Sequence, residues 1–179
     1  MADPYYHTDH HWTTAGAQAA YHIWAEATGH TARSYALVQA TDRFRGTLYS
    51  KVLLPDSVYD EVDYCPDITI ESADCDGTVT DSLYDLAALE KKDKYELFLG
   101  GNYAKAVLRT GVENGKHLLL IKDSFANSLV PSCAATTRPS PWWTCGTAAR
   151  RYSRWPMRPT MCWCCTRSPT LPPTAICSS

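Results

Sequence analysis

The sequence of 179 residues lacks any apolar run near the roughly 18 to 20 residues that a membrane-spanning helix needs. Its first residues, MADPYYHTDH, also lack the basic and then apolar pattern of a secretory signal. We therefore expect neither an export signal nor a membrane span in this chain. The formal net charge is only −2, which gives no reason to expect nucleic acid or an anionic membrane as a partner.

The last part of the chain, residues 132–179, lacks acidic residues, lysine and histidine, although residues 1–131 hold all 19 acidic side chains. This tail is instead rich in cysteine, tryptophan, proline and arginine. A metal or disulfide framework is disfavoured, because the spacing CWCC at 162–165 is not the paired C-x2-C of zinc sites and no histidine follows Pro131. Disorder is a second alternative, but disordered segments seldom contain so many tryptophans and cysteines.

A change of reading frame explains the composition of the tail better. The codons of MCWCC at 161–165 regroup in the shifted frame only as GTG, YTG, GTG and YTG, where Y is a pyrimidine. They spell Val-Leu-Val-Leu, which is typical of a buried strand. Trp142, Trp143 and Thr144 likewise force valine and then aspartate. We therefore predict that residues 1–131 form a partial domain and that 132–179 are an out-of-frame tail without an evolved fold.

The clearest helix signal follows a cluster of histidines near the start of the chain. TTAGAQAAYHIWAEATGH predicts a helix over about 14–28, with a threonine cap at its start and Gly29 just past its end. Its expected buried face has helical spacing and consists of Ala17, Ala20, Tyr21 and Trp24.

Further elements are expected along residues 1–131. They are an irregular strand or loop at 44–59 that stops at Pro55, a short strand at 67–72, a helix at 81–95, and strands at 104–110 and 117–121 around a turn at Asn114 and Gly115. Cys65 and Cys75 flank the short strand, and a disulfide between them in an oxidising compartment is left open.

Three histidines and a carboxylate fall within HTDHHWTT, residues 7–14. Asp9 and His11 are two residues apart, so in an extended segment they share a face. A carboxylate placed there can fix the tautomer of the imidazole and stabilise its cation. His7 has the same parity, so His7, Asp9 and His11 could instead bind a metal ion.

A candidate nucleophile follows the apolar run that ends at Lys122. Ser124 stands where this strand is expected to give way to a helix, and a hydroxyl at such a junction is exposed beside backbone N–H groups that stabilise an anion. The alternative is that Asp123 and Ser124 only cap the following helix. Within LGGNY, Gly101 and Asn102 are candidates for an oxyanion hole, or else part of a tight turn.

Four stretches together resemble the DHHW-motif family of bacterial surface proteins: DHHW at 9–12, RGTLYSKV at 45–52, LFLGGNY at 97–103 and LLLIKDSFANSLVP at 118–131. That family is similar to the SGNH-hydrolase-like proteins of alginate O-acetylation, which carry an Asp-x-His motif and a later serine. The resemblance implies an α/β fold, an incomplete SGNH-hydrolase-like three-layer α/β/α domain. The reread tail also resembles the family's continuation after the serine.

Carried over to this chain, the resemblance implies that Ser124 is the nucleophile, His11 the general base and Asp9 its orienting carboxylate. Asn102, Gly101 and the Ser124 backbone N–H would form the oxyanion hole. No metal or organic cofactor is implied.

The implied activity is transfer or hydrolysis of an acyl group, acetyl above all, on an extracytoplasmic or cell-surface polysaccharide. The polysaccharide, the acyl donor and a membrane-bound acyltransferase are the expected partners. A non-catalytic carbohydrate-binding or scaffold module of the same fold is the alternative. Family members normally carry a signal or membrane segment and a further stretch before the motif, so we expect this chain to be a fragment with impaired activity.

Overall fold

The computed structural model describes residues 3–52, 58–113 and 118–136, and the backbone of three short strands in the tail. The chain divides into two compact units. The first contains Met1–Ile68, Tyr84–Gly101 and Asn127–Thr136, and the second contains Thr69–Leu83, Asn102–Ala126 and Thr137–Ser179. In the described part of the chain, no helix is both long and apolar enough to cross a membrane.

Helices and strands both occur in the described residues. The helical elements are α1 (Thr14–Ala27), α2 (Thr47–Val52), the 3₁₀ segments η1 (Leu86–Glu90), η2 (Lys94–Leu97) and η3 (Ser124–Leu129), and α3 (Val130–Ala134). The strands are β1 (Val38–Phe44), β2 (Asp60–Tyr64), β3 (Ser72–Cys75), β4 (Thr78–Thr80), β5 (Ala106–Arg109), β6 (Leu118–Lys122), β7 (Cys145–Gly146), β8 (Met161–Cys165) and β9 (Ala175–Cys177).

Helix α1 of the first unit lies where the capping residues predict a helix, which confirms that prediction. The Thr13 side chain accepts a hydrogen bond from the Gly16 backbone N–H at the start of the helix. Gly29 follows the end of the helix with φ of 68°, a left-handed conformation that favours glycine. Of the expected face, Ala17, Tyr21 and Trp24 are buried, whereas Ala20 is only half-buried.

The remainder of the first unit packs around the antiparallel pair β1 and β2, in which Phe44 lies opposite Asp60. An aromatic and aliphatic core forms beside this pair, and its buried members are Tyr6, Phe44, Val62, Tyr95, Leu97 and Phe98. Tyr6 precedes the histidine cluster in the chain and Tyr95 lies in η2. The core therefore supports the histidine cluster from a segment far away in sequence.

The second unit is built on a sheet with the strand order β4-β3-β5-β7-β6-β8-β9. Strand β6 is a central strand, parallel to both β7 and β8, and Leu118 and Leu120 on it are buried. The predictions of strands at 104–110 and 117–121 are thus confirmed as β5 and β6. Strand β8 runs beside β6 in register from Leu118 with Met161 to Lys122 with Cys165.

Three predicted elements are wrong in type or position. Within 44–59, the structure has the helix α2, because Asp9 and Thr8 accept hydrogen bonds from the backbone N–H groups of Thr47 and Tyr49. Residues 67–71 form no strand, since a turn in which Ile68 N–H donates to the Cys65 carbonyl comes first.

The predicted helix at 81–95 is replaced by the two 3₁₀ segments η1 and η2. The side chains of Asp85 and Asp93 accept hydrogen bonds from the N–H groups of Ala87 and Tyr95, and each thereby starts a new short turn. Cys65 is a free thiol, so the disulfide with Cys75 that was left open is not formed.

Some predictions fall outside the described residues, namely the stop at Pro55, the turn at Asn114 and Gly115, and most of the tail. Of 132–179, the structure describes residues 132–136 and the backbone of β7, β8 and β9. The out-of-frame interpretation of the tail stays a prediction.

Candidate active site

The structure brings Asp9 and His11 together in the first unit as a buried pair. The Oδ1 atom of Asp9 lies 2.5 Å from His11 Nδ1 and 3.0 Å from the His11 backbone nitrogen. The two residues are only 3% and 5% exposed. Because a carboxylate accepts the hydrogen bond, Nδ1 carries a proton and Nε2 of the neutral ring is left as the basic atom.

The start of helix α2 holds the other oxygen of Asp9. The Thr47 backbone N–H and hydroxyl donate to Asp9 Oδ2 at 2.7 and 3.1 Å. Gly46 packs directly on this carboxylate, since a Cβ atom at position 46 would lie 2.1 Å from Oδ2. Asp9 is thus fixed on both sides, by its own segment and by the chain after β1.

These contacts determine the charge of Asp9. Burial by itself raises the pKa of Asp9, but the hydrogen bonds from His11 and Thr47 outweigh burial and hold the pKa well below its usual range. Asp9 is therefore ionised at neutral pH, which suits a group that orients an imidazole and stabilises its cation.

A second buried carboxylate, Asp60 on β2, anchors the residues just before Asp9. Its oxygens accept hydrogen bonds from the backbone N–H groups of His7 and Thr8 at 2.9 and 2.7 Å, and from the Thr8 hydroxyl at 2.5 Å. His7 points away from the dyad, with its ring nitrogens near the carboxylates of Asp3 and Asp60.

Aromatic contacts fix the plane of the His11 ring. The ring stacks on Tyr95, with centroids 3.8 Å apart and an angle of 9° between the planes. It also lies against His10 at 3.9 Å, and His10 Nδ1 lies 2.7 Å from the Thr47 hydroxyl oxygen. A general base held in this way is already oriented, so little conformational entropy is lost in reaching the geometry for proton transfer.

The structure changes the set of residues that could bind a metal ion. Among the described residues, possible ligand atoms of Asp9, His10 and His11 lie within 4.8 Å of one another, and His7 is not part of that group. The two oxygens of Asp9 already accept four hydrogen bonds, from His11 and Thr47. A cation at this carboxylate would compete with those donors, so the contacts favour a hydrogen-bonded dyad.

Ser124 lies in the second unit, at the junction between β6 and η3, as predicted. It is half-buried. The capping role falls to Asp123, whose Oδ1 accepts a hydrogen bond from the Phe125 N–H at 3.0 Å. Capping of the turn therefore explains the aspartate at position 123, but it does not explain the serine at position 124.

The segment with the oxyanion-hole candidates has an unusual backbone. Leu99 and Gly100 have φ of 69° and 75°, and Gly101 has φ of 133°. A buried leucine in this region of conformational space is strained, and such strain is frequent at functional sites. The Gly101 carbonyl accepts a hydrogen bond from the buried side chain of Asn127 at 3.3 Å. Asn102, in the second unit, is exposed.

Sequence reasoning missed four residues that support the dyad: Gly46, Thr47, Asp60 and Tyr95. The stretch RGTLYSKV carries Gly46 and Thr47, and in the sequence it points to the family resemblance but not to Asp9. A glycine and threonine pair at the start of a helix was a usable signal, and so was an aspartate at an inward position of β2. Neither signal shows which residue the side chain contacts.

The helices and strands of the described residues make this an α/β protein, in which one unit carries a buried His-Asp pair and the other a serine after a central strand. The profile of the DHHW protein family matches residues 3–137. The chain therefore belongs to the DHHW protein family, and the fold class expected from the sequence is confirmed.

Solved structures agree with this assignment of the fold. A DHHW family protein from Eubacterium siraeum DSM 15702 is 20% identical, with a TM-score of 0.66 over 81% of this chain and 51% of that one. Bacillus cereus PatB1 is 24% identical, with a TM-score of 0.57 over 80% and 53% of the two chains.

The structure of Bacillus cereus PatB1 with a sulfonyl adduct is 24% identical to this chain, with a TM-score of 0.58. The match covers 76% of this chain and 50% of that one. The chain thus spans about half the length of the solved structures it matches. No significant match is found among curated proteins.

Proposed function

We propose that this protein is a serine-dependent acyl transferase or esterase that acts on an extracytoplasmic polysaccharide, with acetyl as the acyl group. The observation that carries the proposal is the buried Asp9–His11 dyad, in which the carboxylate accepts a hydrogen bond from Nδ1 and leaves Nε2 as the base. We assign the nucleophile to Ser124 and the oxyanion hole to Asn102, Gly101 and the Ser124 N–H.

In the proposed reaction, Ser124 Oγ attacks the carbonyl carbon of the acyl donor while His11 Nε2 takes the hydroxyl proton. The donors of the oxyanion hole stabilise the negative oxygen of the tetrahedral intermediate. The bond to the leaving oxygen then breaks, and the His11 cation returns the proton to it. A sugar hydroxyl or water attacks the acyl-serine by the same steps in reverse roles, which gives transfer or hydrolysis. These steps need no metal or organic cofactor.

Three observations support the proposal. The geometry of the dyad is that of a general base with a fixed tautomer, and Ser124 stands where nucleophilic serines stand in α/β enzymes. The chain is similar in fold to PatB1, of which a structure with a sulfonyl adduct is known. Sulfonyl groups are electrophiles that form adducts with activated nucleophiles, so the same reagents are suitable probes of Ser124.

A non-catalytic carbohydrate-binding or scaffold module is the alternative from another class. We also propose that the protein works outside the cytoplasm, with a membrane-bound acyltransferase as the supplier of acyl groups. The alternative predicts that Ser124 reacts no faster than other serines.

The test is covalent labelling of the full chain with a sulfonyl fluoride, followed by intact-mass and peptide mass spectrometry. We expect one sulfonyl group per chain on Ser124, and we expect labelling to be lost in Ser124→Ala. Ser82→Ala, at an exposed serine, is the matched control and should label like the unmodified chain. Labelling that persists unchanged in Ser124→Ala would show that Ser124 is not the reactive group and would contradict the proposal, whereas labelling of Ser124 no faster than of Ser82 would favour the non-catalytic module.

A further inference from the structure

A cavity of about 300 Å³ lies in the first unit. It is lined by Arg45, Gly46, Thr47, Ser50, Lys51, Lys92 and Asp93. Gly46 and Thr47 also hold the Asp9 carboxylate, so the cavity and the dyad share these two supporting residues. Its volume is at the lower end of the roughly 300 to 1,000 Å³ of small-molecule sites, which is enough for one sugar unit of a chain.

The lining carries three cations, from Arg45, Lys51 and Lys92, against one carboxylate. That carboxylate, Asp93, already accepts a hydrogen bond from the Tyr95 N–H. Within the described residues, Lys51 and Lys92 are exposed and have no ion pair or hydrogen bond through their side chains.

Neighbouring lysines on the same surface behave differently. The Lys91 ammonium pairs with Asp85 and Glu96, and the Lys94 ammonium donates to the carbonyl of Lys91. Lys51 and Lys92, which have no acidic partner among the described residues, thus both lie at the cavity, although Asp85 and Glu96 are close by in the chain and pair with Lys91.

Arg45 is held in place before any ligand binds. Its guanidinium lies 3.9 Å from the centre of the Tyr59 ring and 4.4 Å from that of Tyr49. Its Nε donates to the Val58 carbonyl at 3.2 Å. A guanidinium fixed between aromatic faces loses little entropy on binding, and its planar group of donors matches the geometry of carboxylate and phosphate.

We propose that this cavity binds an oxyanion, carboxylate or phosphate, on the polysaccharide substrate, and so selects an acidic sugar polymer over a neutral one. The inference rests on the proposed function for its choice of a polysaccharide. The Ser50 hydroxyl lies in the same lining and donates to the Gly46 carbonyl at 3.4 Å, so its oxygen can still accept a hydrogen bond from a hydroxyl of the sugar ring. Binding itself requires no turnover, so it can be measured separately from catalysis.

The test is equilibrium binding of three polymers to the full chain: polygalacturonate, a phosphate-bearing glycan and neutral dextran. We expect an acidic polymer to bind and dextran not to bind. The double variant Lys51→Gln/Lys92→Gln should weaken binding about tenfold, as expected for two partly exposed charged contacts, and added salt should weaken it further. Lys91→Gln is the matched control, next in sequence to Lys92 but outside the cavity, and should change binding little.

The polymers also identify the source of the oxyanion. Binding of polygalacturonate alone assigns a carboxylate, and binding of the phosphate-bearing glycan alone assigns a phosphate. Equal binding of dextran, or equal losses in Lys91→Gln and the double variant, would overturn the inference.

Failure of the two proposals can be distinguished. Ser124→Ala should bind the acidic polymer as the unmodified chain does. If Ser124 fails to react with sulfonyl fluoride but charge-dependent binding persists, the catalytic proposal fails and the cavity assignment stands. If Ser124 labels normally and the double variant binds acidic polymer undiminished, the cavity assignment fails alone.

Discussion

The segment with Asp9 and His11 and the segment with Ser124 are stabilised in different ways. Asp9 is held by residues more than thirty positions away in sequence, through the hydrogen bonds from Thr47. Ser124 follows β6 directly, and the turn after it is started by its neighbour Asp123. The first arrangement depends on tertiary structure, whereas the second is specified by local sequence.

This difference shows where a mutation will act at a distance. A change near Ser124 is expected to have local effects, because its backbone position is set by a buried apolar strand. A change at a residue that supports Asp9 is expected to alter the dyad even when that residue never contacts substrate. Substitutions in the dyad and at the residues that support it test this second expectation.

Asp9→Asn should have the largest effect on activity. The carboxylate accepts four hydrogen bonds, whereas the amide has one accepting oxygen and an NH₂ group that only donates. Either the His11 tautomer or the anchor to Thr47 must be lost. We expect the rate of acetyl ester hydrolysis to fall roughly 10²- to 10⁴-fold, with the fold retained. The measurement is kcat/KM on a chromogenic acetyl ester.

Asp67→Asn is the control for this variant, because Asp67 is an exposed aspartate of the same unit. It should retain full activity. An Asp9→Asn protein that hydrolyses the ester at the unmodified rate would show that the dyad is structural.

The same difference between local and tertiary support explains which parts of this site the sequence predicts. The serine at the β6–η3 junction, the helix α1 and the pairing of Asp9 with His11 come from local patterns, namely an apolar run, a capped helical period and a spacing of two. These predictions agree with the structure.

The supporting residues depend on contacts that no local pattern encodes. Nothing around Gly46 indicates that a carboxylate lies against its Cα, and nothing in DEVDY shows that Asp60 binds the backbone of Thr8. The local pattern predicts a strand or loop at 47–52 for the same reason, since the helix there is stabilised by hydrogen bonds from Thr47 and Tyr49 to the histidine cluster. The periodicity at 81–95 predicts one helix, but the Asp93 side chain accepts a hydrogen bond from the Tyr95 N–H and starts a second 3₁₀ segment.

Gly46→Ala should have the next largest effect, although Gly46 carries no functional group. A Cβ atom there would lie 2.1 Å from Asp9 Oδ2 and 2.2 Å from Asp9 Cβ, so the Asp9 side chain or the start of α2 must move. We expect a loss of about 10- to 100-fold in kcat/KM, the cost of misplacing an orienting group by about 1 Å. The measurement is again hydrolysis of the acetyl ester.

Gly111→Ala is the matched control for this substitution. The nearest atom to a Cβ at position 111 is 3.9 Å away, in the Glu71 side chain, so the new methyl group fits without strain. Activity in Gly111→Ala should be unchanged. If Gly46→Ala is equally active, then the contact between α2 and Asp9 does not set the geometry of the dyad.

The smallest effect is expected in the dependence of stability on pH. The pKa of Asp9 in the folded protein is lowered from its ordinary value of 3.8, so folding is favoured by the ionised form. The stabilisation is complete above that ordinary value and is lost as the pH falls through it towards the folded pKa. Asp9→Asn has no carboxyl group at this position and so lacks its pH-dependent stabilisation. The unmodified protein should therefore lose more of its free energy of unfolding between about pH 6 and about pH 3. Urea unfolding of both proteins at each pH measures the difference, which should shrink as the solution becomes acidic. A difference that stays constant across this range would mean that Asp9 is not stabilised in its ionised form, and the tertiary contacts from Thr47 and His11 would then have no electrostatic role in holding the dyad.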